Sequence, residues 1–212
     1  MKTIFTFLIL SIFCISANAQ LLQKISLPAP DTTGGIPLMK ALDDRKSTKS
    51  FDPEKTLSNE HISNILWAAY GINRKDGKRT VASSFNQQEL SIYIVLKAGV
   101  FLWDSKKNIL NQVLSGDHRA ATGMQDYVAN ASMNILYVSD FTLLPKSPND
   151  EQKALTSHIH SGFSAQNVYL YAASANLGAC VRSSFDKAAL ASLLKLKSTQ
   201  QVILTQSVGF EK

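Results

Sequence analysis

The stretch LSIYIVLKAGVFLWDSKKNILNQV, residues 90–113, is where the period of the chain changes. Leu90, Ile92, Ile94 and Leu96 alternate with other side chains, which gives an extended strand one consistently apolar face. Val100 to Trp103 and Ile109 to Val113 read as two further short strands, joined by the turn-rich Asp104-Ser105-Lys106-Lys107-Asn108. On the N-terminal side the period is helical. Ser58 can cap a helix whose Ile62, Ile65, Leu66, Ala69 and Tyr70 share one face, and Gly71 marks its end. Before it, Pro37 opens a shorter helical stretch through Leu42.

On the C-terminal side, residues 117–129 read as a helix and Met133 to Ser139 as a compact apolar strand. Residues 140–156 hold Pro145 and Pro148 in a polar segment longer than a usual connection, so a mobile flap is expected there. A long helix follows over 157–176, closed by Gly178, then a short strand over 179–181. Asp186 caps a last helix through Leu196, and residues 201–208 form the final strand. Helices and strands alternate irregularly without an internal repeat. The expectation is one α+β domain with a mixed sheet flanked by helices.

Composition bounds the rest. The chain has 212 residues, 45% hydrophobic and 18% charged, with a net charge of +6 and 2 Cys. This excludes disorder and a disulfide-stapled miniprotein. Its scattered basic residues form no stripe suited to nucleic acid. Residues 1–19 read as a signal peptide: Lys2, an apolar run from Ile4 to Ile15, and small residues in Ala17-Asn18-Ala19. The run is shorter than a membrane-spanning helix requires, so no stable membrane span is expected after cleavage. Phe13 before Cys14 is too bulky for a lipid-attachment site. An exported product, periplasmic or secreted, would then carry Cys180 as its one thiol and no internal disulfide. Residues 20–36, with Pro28, Pro30, Gly34 and Gly35, suggest an extended N-terminal arm, of the kind that wraps a neighbour or serves as a linker.

Three segments could carry chemistry. Arg45, Lys46, Ser47 and Lys49 place three cations and a hydroxyl within five residues, a donor set suited to a phosphate. Taken alone, such a run suits a solvated surface better. Ser83, Ser84, Asn86 and Gln88, just before a strand, offer amides and hydroxyls suited to the edge of a neutral heteroaromatic ring, or simply a polar loop. Arg182, Ser183 and Ser184 end a strand ahead of a capped helix, where a cation and free backbone N–H groups could meet an anion, or where a surface ion pair could form. His158 and His160 would point apart on a helix and have no neighbouring ligand at metal spacing, so no metal is assigned. No nucleophile elbow, Walker loop, dinucleotide fingerprint or C-x-x-C is present, and Cys180 reads as a small core residue.

The order of these segments is more specific than any one of them. It resembles the nitroreductase family of flavin mononucleotide (FMN) enzymes, in particular an azoline-oxidase-like branch. The resemblance rests on Arg45-Lys46-Ser47-x-Lys49-x-Phe51, Leu66-Trp67-Ala68-Ala69-Tyr70-Gly71-Ile72-Asn73, and Arg79-Thr80-Val81-Ala82-Ser83-Ser84-x-Asn86-x-Gln88-Glu89. It continues through Gly116-Asp117-x-Arg119, Gly162-Phe163-x-Ala165-Gln166-Asn167, Leu177-Gly178-Ala179-Cys180-Val181-Arg182 and Gln206-Ser207-Val208-Gly209-Phe210. Ala82 stands where the family commonly has proline, and Lys49 where arginine is frequent.

The resemblance implies a nitroreductase-like three-layer domain over 37–212 that forms a homodimer, with one FMN in each of two clefts between subunits. Arg45, Lys46, Ser47 and Lys49 would hold the phosphate and ribityl chain. Ser83, Ser84, Asn86 and Gln88 would line the ring or reach it from the other subunit, and Arg182 and Ser183 would close the phosphate end. It further implies hydride transfer in ping-pong fashion to a small organic acceptor such as a nitroaromatic, a quinone or an azoline-like substrate, with NAD(P)H as one candidate donor. No side-chain nucleophile is needed for that chemistry, and no catalytic side chain is assigned. The alternative is an exported flavin-binding module of the same fold that has lost redox turnover.

Overall fold

The computed structural model describes residues 22–212, so the expected signal peptide lies outside the described residues. The strands are β1 (Lys24–Ser26), β2 (Leu90–Leu96), β3 (Gly99–Asp104), β4 (Ile109–Ser115), β5 (Met133–Asp140), β6 (Gly178–Arg182) and β7 (Gln200–Gly209). The helices are α1 (Leu38–Asp44), α2 (Asn59–Tyr70), α3 (Asp150–Ser174) and α4 (Lys187–Leu193). All seven strands join one sheet in the order β1-β4-β3-β2-β5-β7-β6.

Each neighbouring pair is antiparallel, where irregular alternation of elements had suggested a mixed sheet. The reason lies in the last crossover. α3 carries the chain from β5 to β6 so that these two run the same way, but β7 inserts between them and opposes both. Parallel direction survives only between strands that do not touch.

The sheet is covered on both faces, as an α+β three-layer arrangement requires. On one side Ile92, Ile94, Phe101, Met133, Ile135 and Tyr137 pack against Ile62, Ile65 and Leu66 of α2 and Ala165, Val168 and Ala172 of α3. On the other, Tyr93, Val95, Leu136, Val138 and Val202 pack against Phe185 and Leu190 at α4. β2 and β5 are therefore buried on both faces, which the simple alternation over 90–96 understates. Ser58 caps α2 by accepting the His61 N–H at 3.2 Å, as its sequence position predicts.

Three segments differ from expectation. Part of the N-terminal arm lies along its own chain: β1 pairs with β4, the Asp31 N–H donates to Asn64 Oδ1 and the Ile36 N–H to Ser174 Oγ. Residues 117–129 form two 3₁₀ turns, Arg119–Thr122 and Asp126–Ala129, instead of one helix. Gly123 between them is extended and packs directly on Arg182, where an added Cβ would overlap the Arg182 side chain. The expected flap over 140–156 is mostly ordered structure. A 3₁₀ turn spans Phe141–Leu143, Leu144 is fully buried, and Asn149 caps α3 by accepting the Gln152 N–H, so that helix begins at Asp150. Among the described residues no helix is long and apolar enough to cross a membrane.

Candidate functional site

The chain leaves α1 at Arg45 and turns extended along the outer edge of β6. The Thr48 N–H donates to Ala179 O at 2.9 Å, and buried Thr48 fills the space over Gly178, where a Cβ would overlap it. That close approach fixes residues 45–49 against the strand. Ser47 Oγ lies 2.9 Å from the Tyr169 hydroxyl, which also accepts the Val181 N–H at 2.9 Å, so one phenol on α3 ties the segment to the strand edge. The Arg45 guanidinium lies over the same ring, 5.5 Å from its centroid. Lys46 points elsewhere, paired with Glu211 at 2.9 Å. Lys46 and then Thr48 hold the Glu211 carboxyl below its ordinary pKa.

Lys49 is exposed on the rim of a hollow of about 560 Å³, whose wall includes Gln125, Tyr127, Cys180 and Arg182. That volume lies within the range of small-molecule sites. Arg182 is 7% exposed and, among the described residues, pairs with no carboxylate. One terminal nitrogen donates to Ser207 Oγ at 2.8 Å and the other to Thr122 Oγ1 and Asn134 Oδ1, both at 3.0 Å. Burial depresses its pKa, yet an arginine stays cationic, so a positive charge sits among neutral oxygens. Tyr127 Oη lies 3.4 Å from Cys180 Sγ, and burial lifts its pKa to about 12. Among the described residues, two buried atoms of the hollow's side chains have no hydrogen-bond partner: Gln125 Oε1, an acceptor, and Arg182 Nε, a cationic donor. Ser183 is exposed just beyond Arg182.

The second group sits on the loop before β2. Phe85, Asn86 and Gln88 all have left-handed backbone, with φ of 53°, 55° and 50°. The Ser84 N–H donates to His160 Nε2 at 2.9 Å, and Ser83 Oγ accepts the Gln88 N–H at 3.3 Å. Gln88 is committed internally: its Oε1 accepts from Arg79 Nε at 2.8 Å, and its Nε2 donates to Asn86 Oδ1 and Gly77 O. Ser84 Oγ lies 3.2 Å from His160 Nε2, so the Ser83 hydroxyl proton and the amide nitrogen of Asn86 are the side-chain donors of this loop without a partner among the described residues.

A single chain does not bring the two groups together. Their anchors on α3, Tyr169 and His160, stand nine residues and so about 14 Å apart. On the sheet, Ala179 lies in the row of Met133 at one end of β5, whereas Leu90 pairs with Ser139 at the other, roughly 20 Å away. No residue of 83–88 lines the hollow. A separate groove of about 610 Å³ between residues 31–36, α1, α2 and α3 contains none of the ten expected residues. Among the described residues no group of His, Cys, Asp and Glu could hold a metal ion.

Sequence reading missed Tyr169, Gln125 and Tyr127. Tyr169 falls on the apolar face of α3 and reads as core, while Gln125 and Tyr127 fall in the segment expected to be helical. It also left His160 without a role; His160 is buried and bound, whereas His158 is exposed.

The sequence profile of the nitroreductase family matches residues 42–210. A Methanocaldococcus jannaschii protein described as a candidate nitroreductase is 26% identical over 184 residues, covering 82% of this chain and 91% of its own. The crystal structure of a candidate nitroreductase from Ralstonia eutropha superposes with a TM-score of 0.84 at 36% identity, covering 89% of this chain and 90% of that one. A candidate nitroreductase from Desulfovibrio desulfuricans, crystallised in complex with FMN, shares the fold with a TM-score of 0.60 at 20% identity over 84% and 88% of the two chains.

Proposed function

The chain belongs to the nitroreductase family, and from that premise we propose that it is an exported, homodimeric FMN-dependent oxidoreductase of the azoline-oxidase-like branch. The observation that carries the flavin reading is the hollow beside β6. Its wall carries the polar side chains of Gln125, Tyr127 and Arg182, a set suited to a ring edge that both donates and accepts. Lys49 at the rim and Arg45 and Ser47 behind it would hold the phosphate and ribityl chain. When bound, FMN supplies hydride chemistry, in a ping-pong alternation between a reducing donor such as NAD(P)H and a small organic acceptor.

The chain's own residues bind, orient and exclude water. Buried Arg182 places an uncompensated cation next to the hollow, where it favours any negative charge that develops there. The 83–88 loop would complete the site from a second copy. Supporting that, α3 exposes Leu155, Ile159 and Phe163, four residues apart on one face, and the Phe163 ring lies 6.4 Å from His160, which holds the loop.

Purified protein is expected to be yellow, to release FMN in acid, and to be bleached by dithionite or NAD(P)H and reoxidised by a nitroaromatic or quinone. Colourless protein that ignores added FMN overturns the reading. Ala82 at the family's usual proline position favours one alternative, a flavin-binding module without turnover. Bound flavin that never cycles with any donor would select it.

A further inference from the structure

We propose that His160 is a positioning residue, whose unprotonated Nε2 holds the Ser84 backbone and with it the 83–88 loop in the shape that meets the cofactor. The link to the cofactor rests on the flavin reading above; the hydrogen-bond assignment does not.

The assignment follows from donor and acceptor roles. The Ser84 N–H can only donate, so His160 Nε2, 2.9 Å away, must present its lone pair. A neutral imidazole with a free Nε2 carries its proton on Nδ1. That nitrogen lies 2.8 Å from Glu89 Oε1 and donates to it. His160 and Glu89 are 2% and 1% exposed, so water does not compete at either bond. Glu89 therefore fixes the tautomer, and the tautomer fixes the loop. The neighbouring Ser84 hydroxyl, 3.2 Å from Nε2, lies within reach of the same lone pair.

The loop needs such a hold. Three non-glycine residues with positive φ are intrinsically unfavourable, and they persist only where surroundings over-determine them. Phe85 is 79% exposed and does not anchor the loop by burial. Further restraint comes from Arg79 on Gln88 Oε1 and the Lys146 N–H on Gln87 Oε1, both side-chain bonds at the far end of the loop. The α3 imidazole grips the backbone itself, beside the Ser83 hydroxyl offered to a ligand.

Two substitutions separate the bonds. In His160→Gln the amide oxygen can stand where Nε2 stands and accept the Ser84 N–H. In His160→Asn an amide N–H can stand where Nδ1 stands and feed Glu89, while Ser84 loses its acceptor. Amide hydrogen exchange over 83–88 is expected to quicken about tenfold in His160→Asn and to stay within about threefold of wild type in His160→Gln. FMN affinity is expected to follow the same order. The reverse order, or equal effects, means that His160 serves Glu89 alone and overturns the proposal. Nitrogen-15 NMR of the wild-type imidazole at neutral pH should show a protonated Nδ1 and bare Nε2. The opposite tautomer or an imidazolium overturns the proposal even if a variant does not fold. Wild type that binds no FMN removes the flavin reading and leaves the exchange and tautomer results standing. Unchanged FMN affinity in both variants, with wild type loaded, overturns the positioning role.

Discussion

Arg182 is a buried cation with no carboxylate partner among the described residues. Charge of this kind is costly to bury unless every proton is engaged. Four of its protons are met by Ser207, Thr122, Asn134 and the Cys180 carbonyl, which come from four different places in the chain. The sequence reading placed Arg182 correctly at a strand end but not its inward turn, because Ser207, Thr122 and Asn134 are distant in sequence and all four partners are neutral. Gly123 is part of the same arrangement. Gly123→Ala is expected to cost about 2–4 kcal/mol, since the new methyl must displace a side chain pinned by those bonds; urea denaturation measures it. Arg45 works differently, being half-buried over the Tyr169 ring and still accessible. Arg45→Ala should weaken FMN binding by about 1.5–3 kcal/mol, read by flavin fluorescence titration, with little effect on folding.

Most elements were legible because their apolar period is strong, as in α2 and β2. The exceptions are segments ruled by single side chains. Over 117–129 the spacing suits a helix, but Asp117 takes both the Arg119 N–H and its guanidinium, and Arg119 then donates to Ala131 O at 2.9 Å. These bonds turn the chain before a helix can run. The Arg119 hydrogen bond, above all, holds the Asp117 carboxyl below its ordinary pKa. A carboxyl depressed in the folded state contributes stability above its unfolded value near 4 and loses it as pH falls through the folded value. Asp117→Asn should therefore cost about 0.5–1 kcal/mol at pH 7, a modest figure because the aspartate is partly exposed, and close to nothing near pH 2. Chemical denaturation at both pH values tests the sign. The early start of α3 has a similar origin: Asn149 supplies the cap, and Pro145 and Pro148 lie just ahead of it.

At the scale of the whole molecule, the segments 45–49 and 83–88 and Arg182 were visible as motifs, but their distances from one another, and the Gln125 and Tyr127 wall of the hollow, were not. Nothing local in residues 45–49 or 83–88 reports that some 14 Å of helix separates their anchors. The stripe of Leu155, Ile159 and Phe163 is the surface on which a second copy is proposed to dock. Ile159→Asp is expected to shift the protein to monomer in sedimentation velocity and to lower flavin occupancy with it, while its melting transition stays cooperative. The placement of the two half-sites has a genetic corollary. A chain crippled at Arg45 keeps a sound 83–88 loop, and a chain crippled at Ser83 and Asn86 keeps a sound hollow. Co-expressed, two individually inactive alleles should complement if the proposed dimer forms, because every mixed pair would assemble one cleft from the undamaged half of each and leave both lesions in the other.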